Sequence, residues 1–167
     1  MQRSSRFPVA IPRIVHRDRD IVVADLEHLC IVIWHGAVTP APFEKQRAAL
    51  ADVVARHPNR AGFLIVIEDR VTPPSEELRH KSTEMLKSHG ESLRCVGCVI
   101  EGNGFRAAIT RGVLSGMILL MRNSKSKVSF FADVPSAAAW MGAYVNLPSV
   151  DALTSMVKGI RAELIES

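Results

Sequence analysis

The chain has 167 residues and a formal net charge of +4, and 47% of its residues are hydrophobic while 23% are charged. This size and composition allow a buried core and exclude the disordered, collagen-like and low-complexity classes. The longest apolar stretch lies within residues 113–121, well short of the roughly 20 residues that cross a bilayer, so we expect no membrane span.

Residues 1–19 are predicted to form a basic N-terminal arm. Its cations are Arg3, Arg6, Arg13, Arg17 and Arg19. The segment lacks the apolar core of a secretory signal peptide, which favours a cytoplasmic location. Because the excess positive charge lies in the arm and aromatic residues make up only 5% of the chain, the sequence does not favour a nucleic-acid partner.

The first predicted elements after the arm are a hairpin and a helix. β-Branched residues predict two paired strands, at residues 21–25 and 29–34, after which the chain loops as far as Pro42. Apolar residues at helical spacing then predict a helix over residues 43–54.

Two buried strands and a surface helix follow. Apolar runs at residues 63–67 and 95–100 predict strands that are covered on both faces. Between them, a second helix is expected to begin at Ser75, whose hydroxyl precedes two acidic residues and can cap free N–H groups. Gly90 is expected to end this helix.

The helix predicted over residues 105–121 is apolar almost all round, so we expect it to be the most buried helix. Its Gly112 and Gly116 are expected to permit close packing against the sheet. The other elements are a strand at residues 128–131 and helices that begin at Pro135 and Ser149.

These elements predict a single α/β domain with a mixed five-stranded sheet, an opening β-hairpin and about five helices. The expected organisation is a basic arm at residues 1–19, the α/β domain at residues 20–145 and a C-terminal amphipathic helix at residues 146–167.

The three cysteines are predicted to be reduced and buried. Cys95 and Cys98 lie three residues apart in a predicted strand, so their side chains should point to opposite faces of the sheet and cannot form a redox pair or share a metal. Cys30 also lies in a strand-like apolar run. Core packing is the favoured interpretation for all three.

No residue pattern predicts catalysis or a metal site. The six histidines are not paired with acids or thiols at metal or catalytic-triad spacing, and no serine lies in a Gly-x-Ser-x-Gly sequence. Glu68, Asp69 and Glu101 follow strands, where α/β sheets bind ligands, but helix capping or solvation is the favoured interpretation. We therefore expect a protein that is not an enzyme and that uses no metal or cofactor.

The turn at residues 102–106 is the strongest candidate for a small binding site. Gly102 and Gly104 follow a strand and open a helix, which matches the local part of a dinucleotide-binding fingerprint. The strand is the fourth rather than the first, however, which does not favour a dinucleotide. Free N–H groups at the helix start, together with Arg106, could hold a smaller anion such as phosphate or a carboxylate.

Four short motifs accompany these elements. They are Trp34-His35-Gly36, Pro74-Ser75-Glu76-Glu77-Leu78-Arg79, Ile100-Glu101-Gly102-Asn103-Gly104-Phe105-Arg106 and Ala137-Ala138-Ala139-Trp140. With the order of the elements, they resemble the STAS or SpoIIAA-like domain of anti-sigma-factor antagonists, and more narrowly small myxobacterial STAS-like proteins. The resemblance covers residues 20–142.

The resemblance implies a non-enzymatic regulatory or scaffolding module that acts by protein–protein interaction, with a protein partner or with further copies of itself. Residues 72–75 and 102–105 are the expected contact loops. In the antagonist family, a serine at the start of the second helix is phosphorylated within a motif like Asp-Ser-Ser-Gly. This chain lacks that motif, but Ser75 occupies a similar place and is the candidate phosphosite.

The alternative hypothesis is a small-ligand-binding protein for a lipid, a nucleotide or an anion, because SpoIIAA-like folds are related in shape to lipid-carrying domains. Residues 101–106 would then line the mouth of the pocket. The candidate residues for binding a ligand or a partner are Ser75, Gly102, Asn103, Gly104 and Arg106.

Overall fold

A six-stranded mixed β-sheet forms the centre of the protein. The structure, a computed structural model, describes residues 10–122 and 124–164 apart from the side chains of residues 105–107, 109 and 120. The strands are β1 (Arg13–Arg17), β2 (Ile21–Leu26), β3 (Leu29–Trp34), β4 (Ala61–Ile67), β5 (Leu93–Ile100) and β6 (Lys127–Phe131). They lie side by side in chain order, with β1 to β3 antiparallel and β3 to β6 parallel.

Five helices cover this sheet. They are α1 (Pro40–Arg56), α2 (Glu76–His89), α3 (Phe105–Leu120), α4 (Val134–Met141) and α5 (Val150–Ala162), with a short 3₁₀ turn at Gly90–Ser92. Each of α1, α2 and α3 connects two neighbouring parallel strands, because parallel pairing requires a crossover. The predicted α/β class, the mixed sheet and its opening antiparallel hairpin are confirmed.

Local capping explains where the helices begin. The Ser75 hydroxyl accepts a hydrogen bond from the Leu78 N–H at 3.3 Å, as predicted for the start of α2. Ser149 caps α5 in the same way, accepting from the Ala152 N–H at 3.1 Å. The first helix begins earlier than predicted, at Pro40, because the fixed φ of proline suits the first helical turn.

The prediction of five strands is wrong, because β1 adds a sixth within the segment that was predicted as a basic arm. β1 is an edge strand that pairs antiparallel with β2, and its residues alternate between exposed and half-buried positions. Arg13 and Arg17 occupy exposed positions at its two ends. An edge strand of this composition is hard to distinguish from a solvated basic segment by sequence pattern.

Apolar side chains cover both faces of the sheet. In β3, Val32 and Trp34 point to the face that carries α1, α2 and α3, whereas Ile31 and Ile33 point to the face that carries α4 and α5. We refer to these as the α1–α3 face and the α4–α5 face. All residues of β2 and β3 are buried, and each fully buried aliphatic side chain contributes about 1.5–3 kcal/mol to folding.

The prediction that α3 is the most buried helix is wrong. Among its described side chains, only that of Thr110 is buried, and Leu119 is 64% exposed. A Cβ placed on Gly112 or Gly116 would have no neighbour within 4 Å, so these glycines do not pack against the sheet. The helix joins β5 to β6, and β6 is the last strand of the sheet. The side of α3 that faces away from the centre of the sheet therefore has no further strand to pack against. No helix in the described residues is long and apolar enough to cross a membrane.

A buried carboxylate connects β1 to the rest of the fold. Asp25, on β2, is only 7% exposed. It accepts hydrogen bonds from Arg13 Nε at 3.2 Å and Arg13 Nη2 at 2.5 Å, and from Arg56 Nη2 at 2.9 Å. The hydrogen bond with Asp25 raises the pKa of the Arg13 guanidinium. One carboxylate therefore joins the edge strand to the last turn of α1.

We expect Asp25→Ala to lower the free energy of unfolding by about 1–3 kcal/mol, because it removes the shared acceptor of two guanidinium groups. Urea denaturation measures this loss. Asp52→Ala is the matched control, since Asp52 is exposed and pairs with Arg56 at 3.0 Å, a kind of ion pair worth at most about 1 kcal/mol. Equal losses in the two variants would contradict the role given to Asp25.

Candidate functional site

An apolar cavity lies between the α1–α3 face of the sheet and helix α3. We call it the α3 cavity, and its volume is about 90 Å³. Its floor consists of alternate residues on three parallel strands, which a pleated sheet directs to one face. These are Ile65 on β4, Val96 and Cys98 on β5, and Val128 and Phe130 on β6.

The roof of the cavity is one stripe of α3. Thr110, Leu114, Met117 and Ile118 line it, followed by Met121 at the helix end. Their spacing of four, three, one and three residues places them on a single helix face. The same spacing leaves Val113 and Leu119 outside the cavity lining, and Leu119 is exposed.

The side walls come from α1, α2 and the end of β3. Phe43 on α1 and Met85 and Leu86 on α2 provide apolar surface. The indole Nε1 of Trp34 donates a hydrogen bond to the Gln46 side-chain oxygen at 2.8 Å, and both side chains are buried. This pair is a fixed polar group in an otherwise apolar wall.

The cavity approaches solvent at the carboxyl ends of the parallel strands. Val38, in the loop after β3, and Thr72 and Pro74, in the loop after β4, line this end. Thr72 is exposed, so the lining reaches the surface here. Ligands of open α/β sheets bind at this edge of the sheet, outside the strand ends.

The chemistry of the lining is neutral. No Asp, Glu, Lys, Arg or His side chain is among the described residues that line the cavity. The Ser82 hydroxyl donates to the Leu78 carbonyl at 2.8 Å, and every buried side-chain polar atom of the described residues has a partner. An apolar cavity favours apolar molecules over water, because water needs polar partners.

The structure places the predicted site residues at the same edge of the sheet but not in the cavity lining. Ser75 is exposed and caps α2. Gly102 adopts a φ of +89°, and a Cβ there would lie 2.2 Å from Asp69 Oδ1, so glycine is required. Asn103 and Gly104 are exposed, and the side chain of Arg106 lies outside the described residues.

An ion-pair cluster occupies the carboxyl ends of β3, β4 and β5. Arg161, on α5, donates to the two carboxylate oxygens of Glu101 at 2.8 and 2.5 Å and lies 3.6 Å from Glu68. His35 Nδ1 lies 2.5 Å from the other oxygen of Glu68. The hydrogen bond with Glu101 raises the pKa of Arg161.

Glu68 and Glu101 therefore neither cap helices nor stay solvated, contrary to the prediction. They attach α5 to the edge of the sheet. Glu101 and Arg161 are 60 residues apart in the chain, so no local sequence pattern predicts that they pair. No group of three or more metal-ligand residues is present in the part of the chain that the structure describes.

The three cysteines are free and buried, and the expected orientation of the Cys95 and Cys98 side chains is confirmed. Cys95 packs on the α4–α5 face and Cys98 on the α1–α3 face. Burial raises the pKa of each of these two thiols to about 12 and raises that of Cys30 as well. All three are protonated at neutral pH, and Cys98 is the one that lines the α3 cavity.

We expect a small neutral thiol reagent, methyl methanethiosulfonate, to modify Cys98 before Cys30 or Cys95, because Cys98 is the one of the three that lines the α3 cavity. The reaction should be slow at pH 8, since the raised pKa leaves little thiolate. Peptide mass mapping of samples taken over time measures the order. First modification of Cys30 or Cys95 would contradict the placement of the cavity, and Cys98→Ser serves as the control for assignment.

Comparison with known proteins adds no functional assignment. No protein-family model, curated protein or solved structure matches this chain.

Proposed function

We propose that the protein is a binding module that holds a small neutral apolar molecule in the α3 cavity. The observation that carries this proposal is the apolar space beneath α3. Protein interiors are packed at the density of organic crystals, so an apolar space between a sheet and its covering helix costs stability. Binding of an apolar ligand recovers the lost contacts.

The neutral lining specifies the class of ligand. Transfer of a charged group into such a space, without a partner, is strongly unfavourable. The buried polar groups of the lining, such as the Trp34–Gln46 pair, already have partners, so the ligand is an uncharged hydrocarbon-like or aromatic molecule with few polar atoms. Nucleotides and anions, which belong to the alternative considered from the sequence, do not fit this space.

Helix α3 sets the size of the ligand. A cavity of about 90 Å³ is smaller than the roughly 150 Å³ of apolar cavities that bind benzene. A larger molecule, such as the end of an acyl chain, has to displace α3. The burial of α3 supports such a displacement, because Thr110 is the only buried side chain among those described on this helix.

A regulatory or scaffolding role through protein–protein interaction is the second candidate function. It is the role that the resemblance to STAS-like domains implies. Leu119 supports it, since a leucine that is 64% exposed on an apolar helix is suited to a partner or to a second copy of the chain. The loop at residues 72–75 supports it as well, since it is exposed at Thr72 and Ser75. Sedimentation of the protein and of Leu119→Ser at micromolar concentration tests self-association.

We expect xenon, dissolved under pressure, to quench the fluorescence of Trp34 in a saturable manner, because a single heavy atom fits the α3 cavity and there reaches the indole that lines it. The chain contains two tryptophans, so Trp140→Phe provides a background in which Trp34 is the single reporter. A ligand at 100 times its Kd should also stabilise the fold by about 2.7 kcal/mol. Fluorescence titration and thermal unfolding measure the two effects.

Cavity-filling variants are the controls for this experiment. Val38→Phe and Val128→Phe place a ring into the two ends of the cavity and should abolish both the quenching and the stabilisation. Val15→Phe is the matched variant on the exposed edge strand β1 and should change neither. Linear, non-saturating quenching that is equal in all four proteins would overturn the proposal.

A further inference from the structure

A second cleft lies at the amino ends of the parallel strands, at the opposite edge of the sheet from the mouth of the α3 cavity. We call it the amino-edge cleft, and it is an open depression of about 620 Å³. The residues that line it are Asn59, Glu91, Arg94, Lys125, Lys127 and Tyr144. They come from the segments that enter β4, β5 and β6 and from the chain after α4.

The cleft has an excess of positive charge. It contains three cations and one carboxylate, and Lys125 Nζ lies 2.6 Å from Glu91 Oε1, so this acid is already paired. Arg94 and Lys127 are exposed, and neither forms a direct ion pair with a described residue, although the charge of Arg94 helps to lower the pKa of Glu91. They line the same cleft at the starts of β5 and β6. Two cations without a direct ion pair in one cleft favour an anionic partner.

A row of aromatic rings continues from the cleft along the α4–α5 face. Tyr144 lies 5.0 Å from Trp140, and Trp140 lies 5.5 Å from Phe131, measured between ring centroids. All three side chains are half-buried. Tyrosine, tryptophan and arginine are the residues that most often dominate the energy of protein–protein interfaces, and here they adjoin one another.

The arrangement of the rings favours a protein partner over a nucleic acid. Bases stack on aromatic faces that are open and accompanied by a track of cations. In this protein the rings are half-buried and tilted against one another by 49° and 55°, so they do not present a row of open parallel faces. A half-buried aromatic surface of this kind suits an aliphatic or aromatic side chain of a polypeptide.

We propose that the amino-edge cleft binds an acidic segment of a protein partner. Two carboxylates of that segment pair with Arg94 and Lys127, and an apolar side chain beside them packs on Tyr144 and Trp140. The proposal is independent of ligand binding, because the α3 cavity lies on the other face of the sheet. It places the interaction surface away from residues 72–75 and 102–105, the loops first expected to contact a partner.

Selection of short random peptides displayed on phage tests the proposal on the full chain. Peptides that also bind the double variant Arg94→Glu/Lys127→Glu, in which the charge of the cleft is reversed, are then removed from the selected pool. We expect the remaining peptides to be enriched in Asp and Glu next to an apolar residue. Synthetic copies should bind the unchanged chain at least about tenfold more tightly than the variant, a difference of about 1.4 kcal/mol.

Two controls separate the cleft from general charge and from misfolding. Lys45→Glu/Lys158→Glu makes the same change of net charge on exposed positions of α1 and α5 and should bind the peptides as the unchanged chain does. Thermal unfolding of both variants should match that of the unchanged chain, since none of the four side chains forms an ion pair with a described residue.

Three results would overturn the proposal. The first is a depleted pool without an excess of acidic residues. The second is equal loss of peptide binding in the cleft variant and the control variant. The third is a single-stranded oligonucleotide that binds the cleft more tightly than any selected peptide, which would assign the surface to nucleic acid. Tyr144→Ala should weaken the selected peptides without changing the dependence of their binding on salt.

Discussion

The fold depends on one constraint, which is that β2 to β5 carry apolar side chains on both of their faces. Such strands are stable only when helices cover the sheet from both sides. The three crossovers α1, α2 and α3 all lie on one face, so the other face has to be covered by α4 and α5. Arg161 on α5, paired with Glu101, fixes that second layer to the edge of the sheet.

The same constraint explains where the packing is incomplete. α1 lies over β2, β3 and β4 and α2 packs beside it, but α3 connects β5 to the edge strand β6 and contacts β5. Its inner stripe, from Thr110 to Met121, closes over alternating residues of β4, β5 and β6 without filling the space between them. The α3 cavity is therefore a consequence of covering the end of a sheet with a helix that is apolar on all sides.

The parts of this structure that local pattern determines were predictable from the sequence. The strands at residues 29–34 and 95–100, the Ser75 cap and the opposite orientation of Cys95 and Cys98 all follow from alternation, spacing and capping chemistry. β1 was missed because its stability comes from pairing with β2 and from Asp25, which are not local. The prediction that α3 is the most buried helix is wrong because the hydrophobicity of a helix shows only how much surface it could bury. The topology of the fold decides which elements lie beside the helix and cover it. The cavity lining combines residues of seven elements, β3 to β6 and α1 to α3, and no motif relates them.

The two edges of the sheet differ in chemistry, and each carries one of the two proposed binding surfaces. The carboxyl edge combines paired acids with the neutral mouth of the α3 cavity, while the amino edge exposes unpaired cations beside aromatic rings. The central claim is that the space beneath α3 is a real, dry binding cavity. A crystal structure determined under xenon pressure tests it most directly. The account predicts a xenon atom between Ile65 and Ile118. A gas-free interior in which these side chains meet would contradict it.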